Sequence, residues 1–261
     1  MSTTQPIGQQ LRDWRLRRRL SQLDLALDAE ISTRHLSFVE TGRAAPSRDM
    51  ILKLADELDV PLRERNALLL AGGFAPVYAD RPLDNASLAA ARAAIETLLI
   101  AQEPFPALAI DRHWNLVTAN RAGAGLLQGV APHLLRPPIN VLRLSLHPEG
   151  AASRIENLGE WKAHLLHRLR KQFEASADPQ LLSLLEELAG YPAPPAQKPD
   201  AAAIAVPLIV SSPAGTMSFL STTLLFGTPL DVTLSELAIE IFLPADAATV
   251  ERLRGVAGKR A

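Results

Sequence analysis

The sequence predicts two domains of different class: an all-α unit of five short helices, then an α+β unit built on an antiparallel sheet of about five strands. Three observations carry that expectation. At 261 residues the chain exceeds one average domain and is long enough for two cores. Up to about Gly73 it reads as short helices separated by tight turns, with little β-branched content. From about Phe105 onward, short apolar runs bounded by proline, glycine and asparagine flank longer helical stretches. The expected boundaries are 1–75 for the helical unit, 76–104 for a linker and connecting helix, and 105–261 for the α+β unit.

The first helix is marked by Ile7, Leu11, Trp14 and Arg15 at helical spacing. Ser21 caps a second over 22–29, and Ser32 a third over 33–41, each by accepting orphan amides of the first turn. Gly42 ends the third helix, because glycine adopts the left-handed conformation without a Cβ penalty. Ser47 opens a fourth over 48–58, and Pro61 precedes a fifth over 62–71, where its missing N–H is harmless. A linker over 74–82 leads to an alanine-rich helix over 86–102, which Glu103-Pro104 stops. Strands are expected over 106–110, 115–119, 204–211, 216–226 and 237–243, with helices over 155–175 and 180–189 between the second and third. Residues 192–199 form a proline-dense loop, and Ser212-Pro213-Ala214-Gly215 a hairpin turn.

Composition narrows the chemistry. Hydrophobic residues at 48% and charged residues at 21% are ordinary for a globular protein. The absence of cysteine removes disulfide scaffolds, thiolate metal sites and cysteine nucleophiles together. The amino terminus lacks an apolar signal segment and no stretch has the length of a membrane span, so a cytoplasmic protein without a membrane partner is expected. No Gly-x-Ser-x-Gly elbow, phosphate loop or dinucleotide fingerprint occurs. Glu160, His164 and His167 share a helical face, but their spacing fits no zincin pattern, and no enzyme, cofactor or metal is expected.

The third helix has the composition of a DNA reader. Thr33, Arg34, His35 and Ser37 make a polar leading edge, while Leu36 and Val39 recur at the spacing of a buried stripe. Arg34 suits a bidentate contact to guanine, Thr33, Ser37 and His35 a base or phosphate, and Gln22 at the start of the second helix a phosphate. Arg18 and Arg43, with Arg12, Arg17 and Arg19, add local positive charge to a chain of net charge -1, so affinity must come from where the arginines stand. The alternative for Arg17 to Arg19 is a solvated helix end that complements the dipole.

The run Leu20-Ser21-Gln22, then Ile31-Ser32, then Glu40-Thr41-Gly42-Arg43 with Pro46-Ser47, resembles the phage-repressor-like (Xre family) helix-turn-helix domain over residues 7–73. That resemblance implies a pair between Arg15 on the first helix and Glu40 at the end of the recognition helix, and so a structural Glu40. Arg34-His35-Leu36-Ser37-Phe38, residues 61–66 and 71–76, then Ala109-Ile110-Asp111, Trp114, Asn120, Asn140-Val141-Leu142-Arg143, His147-Pro148 and Trp161 resemble the subgroup with a carboxy-terminal MmyB-like domain. The resemblance implies a PAS-like fold that holds a small ligand between sheet and helices. Phe105, Ile110, Trp114, Leu142, Trp161, Leu165 and Phe219 are its candidate apolar lining, and Asn120, Arg143 and His147 its candidate polar contacts. Simple core packing is the alternative for each apolar residue, and Glu149 or Glu156 are alternative partners for Arg143. The expected function is a homodimeric regulator that binds an operator in duplex DNA under control of a small lipophilic or acyl-type effector. A DNA-binding antitoxin or scaffold-type regulator without an effector stays open beside it.

Overall fold

A computed structural model describes residues 5–197 and 204–258. The chain divides into two compact units, Met1–Arg81 with Pro229–Ser235, and Pro82–Thr228 with Glu236–Ala261.

The first unit opens with α1 (Ile7–Arg17), α2 (Gln22–Asp28), α3 (Thr33–Glu40), α4 (Arg48–Glu57) and α5 (Leu62–Ala71). The three serine caps form as their positions dictate: Ser21, Ser32 and Ser47 each accept the amide three residues on, from Asp24, His35 and Met50. At α2 the Asp24 carboxylate also accepts the Ser21 N–H, which completes a capping box. Leu11, Leu25, Leu36, Ile51, Leu54 and Leu68 meet in one fully buried core. Gly8 lets α1 approach α3, since a Cβ there would stand 2.1 Å from the Val39 carbonyl oxygen.

The second unit continues with α6 (Ala89–Ala101), β1 (Ala107–Ile110), β2 (Leu116–Ala119), α7 (Arg121–Gly125), α8 (Val141–Leu146), α9 (Leu158–Ser176), α10 (Pro179–Ala189), β3 (Leu208–Val210) and β4 (Met217–Leu225). After β4 comes one helical turn, α11 (Val232–Ser235), which belongs to the first unit; there the Val232 N–H donates to the Ala79 carbonyl. The chain then completes the second unit with β5 (Ala238–Pro244) and α12 (Ala247–Gly258). The five strands form one antiparallel sheet in the order β2-β1-β5-β4-β3, with α7 to α10 inserted between β2 and β3, as the PAS-like expectation requires.

Alternation along the strands sends Leu108, Ile110 and Phe219 to a face packed by α8, α9 and α10. Ala107, Ala109, Ile239 and Ile241 point the other way, and Ile95 and Leu99 of α6 cover them. The alanine-rich helix therefore belongs to the core of the second unit instead of standing apart as a connector. The strand expected over 204–211 shortens to β3, because Pro207 has no N–H for a ladder and Ile204 is 98% exposed. The proline-dense loop expected over 192–199 ends in Lys198 and Pro199, which lie outside the described residues. No helix among the described residues is long and apolar enough to cross a membrane.

Candidate nucleic-acid interface and ligand cavity

In the first unit the site is built on a buried clamp. The Arg15 guanidinium donates to both carboxylate oxygens of Glu40, at 2.6 and 2.8 Å, and to the Leu20 carbonyl at 2.8 Å. Both residues are buried, at 6% and 5% exposure, and the hydrogen bond to Glu40 raises the Arg15 pKa although burial opposes it. Gln22 Nε2 donates to the same carboxylate at 2.8 Å. Glu40 thus ties the start of α2 and the end of α3 to α1. Gln22, a candidate phosphate contact, has its side-chain orientation set by that bond, which leaves its second amide hydrogen.

Leu36, Val39 and Glu40 are buried on the inner side of α3, so Arg34 stands opposite, His35 and Ser37 flank it, and half-buried Thr33 opens the first turn nearer the buried side. The side chains of these four, and of Arg43, make no hydrogen bond or ion pair with the described residues. Arg34 and Arg43 instead flank the Phe38 ring, with guanidinium carbons 5.3 and 6.0 Å from its centroid. Gly42, at φ +74°, turns the chain so that Arg43 reaches this ring, and the Arg43 N–H donates to the Phe38 carbonyl. Phe38 was not among the expected site residues, since an aromatic residue on a helix reads as core. Arg18 is engaged elsewhere: it donates to the carbonyls of Leu58 and Asp59 at the end of α4 and lies over Trp14. That side chain closes a helix end and is withdrawn from the set grouped around α3.

In the second unit, a cavity of about 100 Å³ lies between the inner sheet face and the helices. Of the candidate lining residues, Trp114, Leu142, Trp161 and Leu165 border it, joined by Leu116, Ile155 and Phe242. The two indoles are held by their N–H groups, Trp161 donating to Ser145 Oγ at 2.9 Å and Trp114 to Gln172 Oε1 at 2.7 Å. A second cavity of about 390 Å³ adjoins it, sharing Leu126, Arg154 and Val210, and Phe219 lines this one. Ile110 and Phe105 pack in the surrounding core and line neither cavity.

The expected polar contacts go elsewhere. Asn120 caps α7 and spends its amide on the Leu99 and Phe105 carbonyls and the Ala107 and Gly123 N–H groups. Arg143 forms a two-pronged pair with Glu187 at 2.7 and 2.8 Å, a partner absent from the two foreseen. His147 packs edge-on against Tyr191. None of the three lines either of these two cavities. Two other arginines do. Arg168 and Glu240 pair at 2.6 Å, with Thr223 hydrogen-bonded to both, and the guanidinium lies 4.8 Å from the Trp114 ring centroid. Arg154, at the junction of the cavities, donates to the Leu126 carbonyl and has no carboxylate partner among the described residues. Neither was legible from spacing, because each lies on a helical turn whose facing strand arrives from far along the chain.

Glu160, His164 and His167 do not assemble. Glu160 accepts the Gln197 N–H, and His164 stacks on Trp161, where burial lowers its pKa and the Arg168 charge lowers it further.

Comparison with known proteins agrees with both halves of this geometry. A search of curated proteins finds no match. Residues 11–65 match the helix-turn-helix family, and residues 91–255 match the family described as the MmyB-like transcription regulator ligand binding domain. With most of its length in the second match and a helix-turn-helix ahead of it, the chain belongs to the MmyB-like transcription regulators, which bind DNA.

Proposed function

We propose that the protein is a cytoplasmic, homodimeric regulator that reads an operator through α3 and whose DNA binding responds to a lipophilic, anionic effector held in the second unit. The observation that supports the DNA contact is the start and outer edge of α3 with the turn after it, where Thr33, Arg34, His35, Ser37 and Arg43 make no side-chain hydrogen bond or ion pair with the described residues, beside the Arg15–Glu40 clamp. Arg34 is assigned to a base edge and Arg43, Thr33, His35, Ser37 and Gln22 to flanking bases or phosphates. Two such helices in a dimer match half-sites about one helical turn apart.

The effector reading rests on the paired cavities. Apolar walls meet at Arg154, which has no carboxylate partner among the described residues, so an aliphatic body with an acidic end satisfies both parts. Such a ligand changes DNA affinity only by as much as it distinguishes two arrangements of the protein. Native mass spectrometry of the purified protein, followed by melting curves with saturated fatty acids and the alcohols of equal length, tests it. A co-purifying acid, or a melting shift larger for acid than for alcohol and equalised by Arg154→Ala, is expected. No passenger and no shift with any chain length would leave a DNA-binding regulator without this effector.

A further inference from the structure

We propose that His133, His147 and Glu149 bind a divalent first-row transition metal, zinc being the natural occupant of a two-histidine, one-carboxylate set. Their ligand atoms lie within 4.8 Å of one another, and His133 Nε2 is 3.8 Å from Glu149 Oε2. Bond lengths of about 2.0–2.1 Å to nitrogen or oxygen place tetrahedral ligand atoms about 3.4 Å apart. The site therefore closes by rotation of two side chains, those of His133 and Glu149, which are both exposed at the surface.

The backbone brings the three together without a metal. The Ala131 N–H donates to the Glu149 carbonyl at 3.0 Å, which sets the turn of 3₁₀ helix Pro132–Leu135 beside the end of α8. The His147 N–H donates to the Arg143 carbonyl and its own carbonyl accepts the Gly150 N–H, which fixes the corner that carries His147 and Glu149. The His147 ring stands edge-on to His133 at 5.7 Å and to Tyr191 at 5.1 Å. Tyr191 is anchored in turn by its hydroxyl, which donates to Glu187, the partner of Arg143. The Tyr191 ring thus packs against one ligand, His147, while the two exposed ligands have room to turn toward a common ion.

One interaction opposes binding. The Glu149 N–H donates to His147 Nδ1 at 3.1 Å, so coordination at either ring nitrogen must exchange that neutral hydrogen bond for a metal–nitrogen bond. Water completes the coordination shell at so exposed a position. The bound metal would join two segments that both line the smaller cavity, through Val130 before His133 and Leu144 before His147. None of the three ligands itself lines either cavity, and none belongs to the helical face of His164 and His167.

Titration of the untagged full-length protein with zinc by calorimetry, and with cobalt by visible absorption, tests the site. One equivalent should bind to the wild type, and His133→Ala with Glu149→Gln, which removes two of three ligands, should weaken it by more than the roughly 10–100-fold typical of losing an outer-shell partner, while His167→Ala should leave it unchanged. The metal-free melting midpoint of the double variant should match wild type, since both side chains are exposed. Absence of saturable binding to the wild type, or binding that survives the double substitution, overturns the proposal.

Discussion

The Glu40 carboxylate joins three helices of the first unit, α1, α2 and α3. It receives Arg15 twice and Gln22 once, in a site nearly closed to water. Its loss would leave the Arg15 guanidinium buried with only the Leu20 carbonyl for company. Breaking a buried pair from one side costs about 3–5 kcal/mol, so Glu40→Ala should lower the unfolding free energy of the first unit by that order in urea titrations. The Arg15–Glu40 pair was foreseen through family resemblance alone, because no spacing rule joins residues so far apart in sequence. That Arg34, His35 and Ser37 stand away from the buried stripe of α3 was legible for a different reason: the spacing of Leu36 and Val39 on a short helix fixes which side faces inward. Phe38 and Arg154 escaped, since the type of each is compatible with many environments and only the fold supplies the neighbours.

Among the elements, capping decided what could be read. The serines before α2, α3 and α4 announce their helices, and each forms the expected bond. Helices α7, α8 and α12 were not foreseen: α7 is a single alanine- and glycine-rich turn, α8 spans six residues, and α12 has no hydrophobic stripe ahead of it in the linear pattern. The cap of α10 offers a test at this scale. Asp178 is buried, which by itself raises its pKa, but the Gln180 N–H, His113 and the Arg112 charge outweigh burial and hold the carboxyl below its ordinary value. A carboxylate depressed by folding contributes stability that is complete above its unfolded pKa of about 3.9 and is lost as pH falls toward the folded value. Thermal melting should therefore show the second unit of Asp178→Asn destabilised at neutral pH, with the gap to wild type narrowing below about pH 4. A gap independent of pH down to acid unfolding would mean that the bonds at this corner do not depend on ionised Asp178.

At the scale of the molecule, each unit explains its own part of the function. A bundle buries a clamp and leaves a polar helix edge outside; a sheet with helices inserted between β2 and β3 encloses apolar space. The class of both units followed from periodicity and turn residues, and the sheet order from long-range pairings that no local pattern contains. Base readout by the outer edge of α3 is tested by selecting bound duplexes from a random library at low salt and measuring binding curves on the selected sequence. Wild type should enrich one sequence with related half-sites, and Arg34→Ala should lose about 1–3 kcal/mol of binding and its preference at one base position. Enrichment of no sequence, or equal weakening of Arg34→Ala on every duplex, would contradict base readout by this helix.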